Sequence, residues 1–146
     1  MNKNTITLAK YLLTKGINSS LQIQKLLFFI HVEELKNKVD NGFFEKNNNF
    51  QAWIYGPVNP ESFYYMQKYF NSEEEAEEFF LSEEQIIEMD KMYLEYLTKY
   101  INFSPAKLVS KSHKNISWIN ARGDLDQYDP STTYMKEDET FIQFKD

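Results

Sequence analysis

Five consecutive apolar residues, Leu26-Leu27-Phe28-Phe29-Ile30, interrupt the chain's amphipathic patterning and leave no polar face over more than one helical turn. A helix that is apolar all round has to be covered on most sides by the rest of its domain. Ser19, with Gln22 three residues on, has the form of a capping box that starts such a helix. Phe28, Val32, Leu35 and Val39 continue one stripe at helical spacing. The run therefore predicts a central helix over about 19–39, with the remaining elements wrapped around it.

Those elements are legible as further helices and one hairpin. Ile6, Ala9, Leu12 and Leu13 mark a helix over 4–14, closed by Gly16. Asn59-Pro60 and Ser104-Pro105 each pair a capping side chain with proline at the first helical position. They open helices over about 60–70 and 105–113. Ser72 with Glu75 and Ser82 with Gln85 form two more capping boxes. The second of these opens a helix over about 82–101, striped by Ile86, Met89, Tyr93, Tyr96, Leu97 and Tyr100. Asp40-Asn41-Gly42 reads as a turn. Segments 43–45 and 50–55 read as two short strands, stopped by Gly56-Pro57, with Phe50, Ala52 and Ile54 alternating against Gln51, Trp53 and Tyr55. The tail from 128 to 146 is polar, with one short helix expected at 138–144. The fold class is mainly α: about six helices around the central one, in a single domain over 1–146.

Composition narrows the function classes. Cysteine is absent, which excludes disulfides and thiolate metal sites. The longest apolar run is far short of a membrane span, and the N-terminus lacks the form of a signal peptide, so a cytoplasmic protein without a membrane partner is expected. The net charge of −6 argues against non-specific nucleic-acid binding. The charge is polarised. Residues 73–90 hold nine acids and no base, and 99–122 hold five bases and no acid, a pattern suited to steering toward a protein partner. Fifteen lysines to one arginine, Arg122, together with abundant Asn, Phe and Tyr, follow the codon bias of an AT-rich genome.

No set of residues spaced for catalysis or cofactor binding appears. A Gly-rich phosphate loop, a nucleophile elbow and a paired-histidine zinc motif are all missing. His31 and Glu34 lie one helical turn apart, but two ligands do not fix a metal. Ser112 and His113 are adjacent, and neighbours on a helix point about 100° apart, too divergent for a nucleophile and its base. No metal and no cofactor is expected. Trp53, Tyr55 and Trp118 combine a large apolar body with a polar handle, a type enriched at interface hot spots. Spacing assigns Trp53 to the core, where truncation to Ala would cost on the order of 3–5 kcal/mol. It leaves Trp118 open between core and surface.

Three segments, read together, carry a family resemblance. They are Ile23-Gln24-Lys25-Leu26-Leu27-Phe28-Phe29; Phe50 to Val58, followed by Pro60 and Phe63; and Leu108 to His113, followed by Trp118 and Ala121. In order and spacing they resemble the Panacea domain family, which includes SocA-type antitoxins and GepA-type phage-associated proteins. The resemblance spans roughly residues 5–122 and leaves 123–146 as a tail. It implies a compact, mainly helical domain that neutralises a toxin encoded next to it by direct binding. Alternatives are a proteolytic adaptor or a phage-encoded regulator of a host protein. The opposing class is a small hydrolase using His113. The positions carried over are Gln24, Lys25, Trp53, Tyr55, Gly56, Pro57, His113 and Trp118. The expectation is that a turn at Gly56-Pro57 packs on the start of the central helix near Gln24-Lys25, with His113 and Trp118 closing the same site. No DNA-binding module is apparent.

Overall fold

The computed structural model describes residues 1–72 and 77–146. Among them are six α-helices and one two-stranded antiparallel sheet, in the order α1 (Thr5–Thr14), α2 (Ser20–Lys36), β1 (Gln51–Trp53), β2 (Gly56–Val58), α3 (Pro60–Phe70), α4 (Glu83–Thr98), α5 (Pro105–Ser112) and α6 (Ile116–Arg122). The fold is mainly α. Short 3₁₀ turns occupy Glu77–Phe79 and Glu139–Ile142.

Each helix starts where a side chain can take an orphan backbone N–H. Asn4 accepts from the Thr7 N–H, Ser19 from Gln22, Asn59 from Ser62 and Ser104 from Lys107. Ser82 and Gln85 complete a reciprocal capping box at α4. Asn115 opens α6, a helix that spacing alone did not reveal, by accepting from the Trp118 N–H. The box expected at Ser72 and Glu75 lies partly outside the described residues.

Helix α2 is the hub. Every residue from Ile23 to Glu34 is buried, and the helix packs against α1, α3, α4, α5, β2 and the 139–142 turn. Phe28 meets Phe50 at 5.8 Å and Phe141 at 5.3 Å between ring centroids, and Phe29 stacks on Tyr100 at 4.7 Å. Each fully buried Phe stabilises the fold by about 1.5–3 kcal/mol. The helix stops at Lys36, short of the expected 39. The Asn37 side chain donates to the Glu33 carbonyl at 2.7 Å, and Lys38 turns to a positive φ of 52°. Val39 is left exposed, so it is not part of the core stripe.

Two other expectations are corrected. Segment 43–45 is not a strand: Phe43 is buried in irregular chain, where Asn49 exchanges hydrogen bonds with the Glu45 backbone. Gly56-Pro57 does not stop the hairpin but forms its second strand. The register is Gln51↔Val58, Ala52↔Pro57 and Trp53↔Gly56, and Ile54-Tyr55 make the turn.

The C-terminal region is also more integrated than a polar tail. The Ala52 N–H donates to the Thr133 carbonyl and the Met135 N–H to the Phe50 carbonyl, so segment 133–135 runs along β1. Phe141 is completely buried against α2.

Helix α2 also buries charge. His31 Nε2 pairs with Glu137 Oε1, which also accepts from Asn49 Nδ2 at 2.7 Å. Glu34 lies 3.9 Å from the other ring nitrogen. Burial opposes the imidazolium, but the two carboxylates outweigh it and hold the His31 pKa above its ordinary value. A histidine raised in this way stabilises the fold fully below its unfolded pKa, about 6.5, and loses that contribution as pH rises through the folded value. Glu137→Gln should therefore be destabilised relative to wild type at pH 6, with the gap shrinking as pH climbs. Urea unfolding across that range measures it.

Candidate functional site: an aromatic groove above a buried lysine

The hairpin leans against the start of α2 and the end of α5 and frames a groove of about 660 Å³. Its walls are mostly apolar. Leu21, Gln24 and Lys25 come from α2; Trp53, Ile54, Tyr55 and Val58 from the hairpin; Phe63, Tyr64 and Gln67 from α3; and residues 130–132 complete it. The side chains divide by depth. Lys25 is 0% exposed, and Gln24, Gly56 and Pro57 are also buried. At the rim, Tyr55 is 68% exposed and Tyr64 63%.

The floor is a knot of hydrogen bonds between α2, the hairpin and α3. Gln24 accepts from the Asn59 N–H at 2.8 Å and donates to Ser62 Oγ at 3.1 Å. Asn59 Nδ2 donates to the Asn49 carbonyl at 2.7 Å. Lys25 Nζ donates to the Pro57 carbonyl at 2.6 Å. No carboxylate lies within ion-pair distance of Lys25 among the described residues. Desolvation alone pushes its pKa down to about 7.

Gly56 lets the strand come this close. Its φ is +110°, and a Cβ there would lie 2.4 Å from Ser112 Oγ and 3.1 Å from Lys25 Cε. Position 56 therefore requires glycine both for its backbone angle and for the approach of β2 to α2 and α5.

His113 and Trp118 brace the hairpin from behind and do not line the groove. Their rings stack at 4.3 Å and 7°. Trp118 Nε1 donates to the Trp53 carbonyl at 3.0 Å. Arg122, which sequence reasoning did not select, lies over the Trp118 ring and donates to the carbonyls of Ala52, Asp126 and Asp129. It ties β1 to the following loop. Its signal was visible in the sequence, as the single arginine among fifteen lysines. Burial, then the nearby Lys25 charge, lowers the His113 pKa, with the backbone at Ile54 pulling the other way. No carboxylate is paired with His113 among the described residues, so the arrangement lacks the orienting acid of a nucleophile–base–acid set.

Trp53 is only partly buried, which corrects its assignment to the core. It packs edge-on to Phe63 at 5.0 Å, and its Nε1 donates to Gln51 at 2.9 Å. Trp118 is half-buried and packs against the core. Trp53→Ala should cost only about 1–2 kcal/mol, the scale of lost aromatic pairs and part of a side chain's area. A thermal melt close to wild type is the expected result.

The chain belongs to the SocA-like antitoxin family: residues 23–119 match that family's model, the Panacea domain. The match runs from the buried part of α2 into α6 and covers the hub helix, the hairpin and the helices that brace them. No curated protein and no solved structure matches the chain. No helix among the described residues is long and apolar enough to cross a membrane.

Proposed function

We propose that this protein is a toxin-neutralising module that binds a toxin encoded next to it, and that the aromatic groove is the docking surface. The observation that carries the proposal is the split within the family motif. Lys25, Gly56 and Pro57 are buried structure, whereas Trp53 and Tyr55, from the same segment, stand at an open groove beside exposed Tyr64. A partly buried Trp and exposed Tyr around an apolar hollow are the residue types that dominate interface energetics. Membership of an antitoxin-like family supports a protein partner and a non-catalytic role. The cytoplasm is the compartment where such neutralisation would act.

Co-expression with the adjacent open reading frame tests the proposal. The neighbour alone should arrest growth, and this chain should restore it through a complex that co-purifies. A harmless neighbour, or rescue without a complex, overturns neutralisation by direct binding.

A further inference from the structure

Lys25 is a completely buried amine whose one partner among the described residues is the neutral Pro57 carbonyl, and it lies beneath an apolar groove. The charges around it deepen the imbalance. From the end of α5 it faces Ser112 and His113, and from α6 Arg122 acts on the same His113. From the hairpin it meets only backbone and Gly56, and on α2 its neighbour is the neutral Gln24. No described acid answers it. A buried charge is normally paired, and an unpaired one projects a strong field through a low-dielectric wall.

We infer that the groove receives an interior, apolar segment of the protein partner carrying one Asp or Glu side chain, whose carboxylate seats above Lys25 while its apolar neighbours pack against the joined Trp53–Phe63–Tyr64 wall. This rests on the groove being the docking surface, and it names the chemistry that surface selects. The groove draws its lining from α2, the hairpin, α3 and residues 130–132. Lys25 calls for one acidic side chain, and the apolar lining around it calls for apolar residues on both sides of that acid, which a chain end does not supply.

The test uses the full chain and three probe peptides: Ac-Leu-Phe-Glu-Phe-Leu-NH2, its Gln analogue with blocked ends, and the Gln analogue with a free C-terminal carboxylate. Calorimetry gives affinity, and Trp fluorescence reports occupancy beside Trp53. The wild-type protein should bind the Glu peptide at least about tenfold more tightly than the blocked Gln peptide, the scale of one charge attracted across a thin low-dielectric wall. Lys25→Met should bind both equally while keeping a cooperative melt. Leu21→Ala, at the groove wall, should weaken both peptides alike and preserve their ratio. Equal binding of Glu and Gln peptides by wild type, or binding of neither, overturns the inference. Tightest binding of the free-carboxylate peptide overturns it in favour of a chain terminus. Because these peptides do not involve the neighbouring gene, a Glu preference combined with failed growth rescue would remove the toxin reading and leave the groove chemistry standing.

Discussion

Lys25→Met will be more stable than wild type at pH 7, by about 1–3 kcal/mol. Its pKa is about 7 in the fold against an unfolded value near 10.5. Between those values the unfolded chain holds a proton that the folded chain does not, so stability rises with pH across the window. At 1.36 kcal/mol per unit, burying this lysine costs on the order of 4–5 kcal/mol when it is charged. Methionine fills much of the same volume without the charge. The substitution deprives the Pro57 carbonyl of a donor, which costs about 1–3 kcal/mol and leaves the net gain stated. The gain should be larger at pH 6 and should vanish or reverse near pH 10. Urea unfolding at the three pH values measures it. A variant less stable than wild type at every pH would mean that the lysine is fully satisfied in the fold and carries no uncompensated charge. The expected result is a functional residue kept at the expense of stability.

Gly56→Ala will be the most damaging single methyl addition on the hairpin. The residue must hold φ near +110°, a region L side chains rarely adopt, and its new Cβ would lie 2.4 Å from Ser112 Oγ. Strain and overpacking each cost about 1–3 kcal/mol, so a loss of roughly 3–5 kcal/mol is expected. Ser112 is fully buried and donates to the Val109 carbonyl at 2.8 Å, which prevents an easy retreat. Combining Gly56→Ala with Ser112→Ala removes the colliding oxygen but not the strained φ. The pair should recover about 1–2 kcal/mol relative to additivity in a double-mutant cycle. Strict additivity would show that the hairpin does not approach α5 as described.

Helix α2 was legible because its burial is written in consecutive residues and its cap lies three positions from its partner. The hairpin was found but misregistered. The need for glycine at position 56 comes from Lys25 and Ser112, which are distant in the chain, so Gly56-Pro57 read as a stop rather than a strand. Trp53 shows a conflict between two local signals. Spacing assigned it to the core, yet the strand alternation sets it opposite buried Phe50 and Ala52, and in the fold the alternation prevails. The C-terminal region was the least legible part. Its order comes from pairing with β1 and from Phe141 entering the core, contacts that no local periodicity encodes. Of the site residues, Gln24, Lys25, Trp53 and Tyr55 do line one groove, whereas His113 and Trp118 support it from the far side.

The proposed docking role rests on the rim aromatics. Tyr55 and Tyr64 are largely exposed, so removing both leaves the core untouched. The most direct measurement is growth rescue by the Tyr55→Ala/Tyr64→Ala double variant, co-expressed with the adjacent reading frame, beside its thermal melt. The account predicts a melting temperature within a few degrees of wild type together with loss of rescue and of the co-purifying complex. A folded double variant that still restores growth as well as wild type would contradict it.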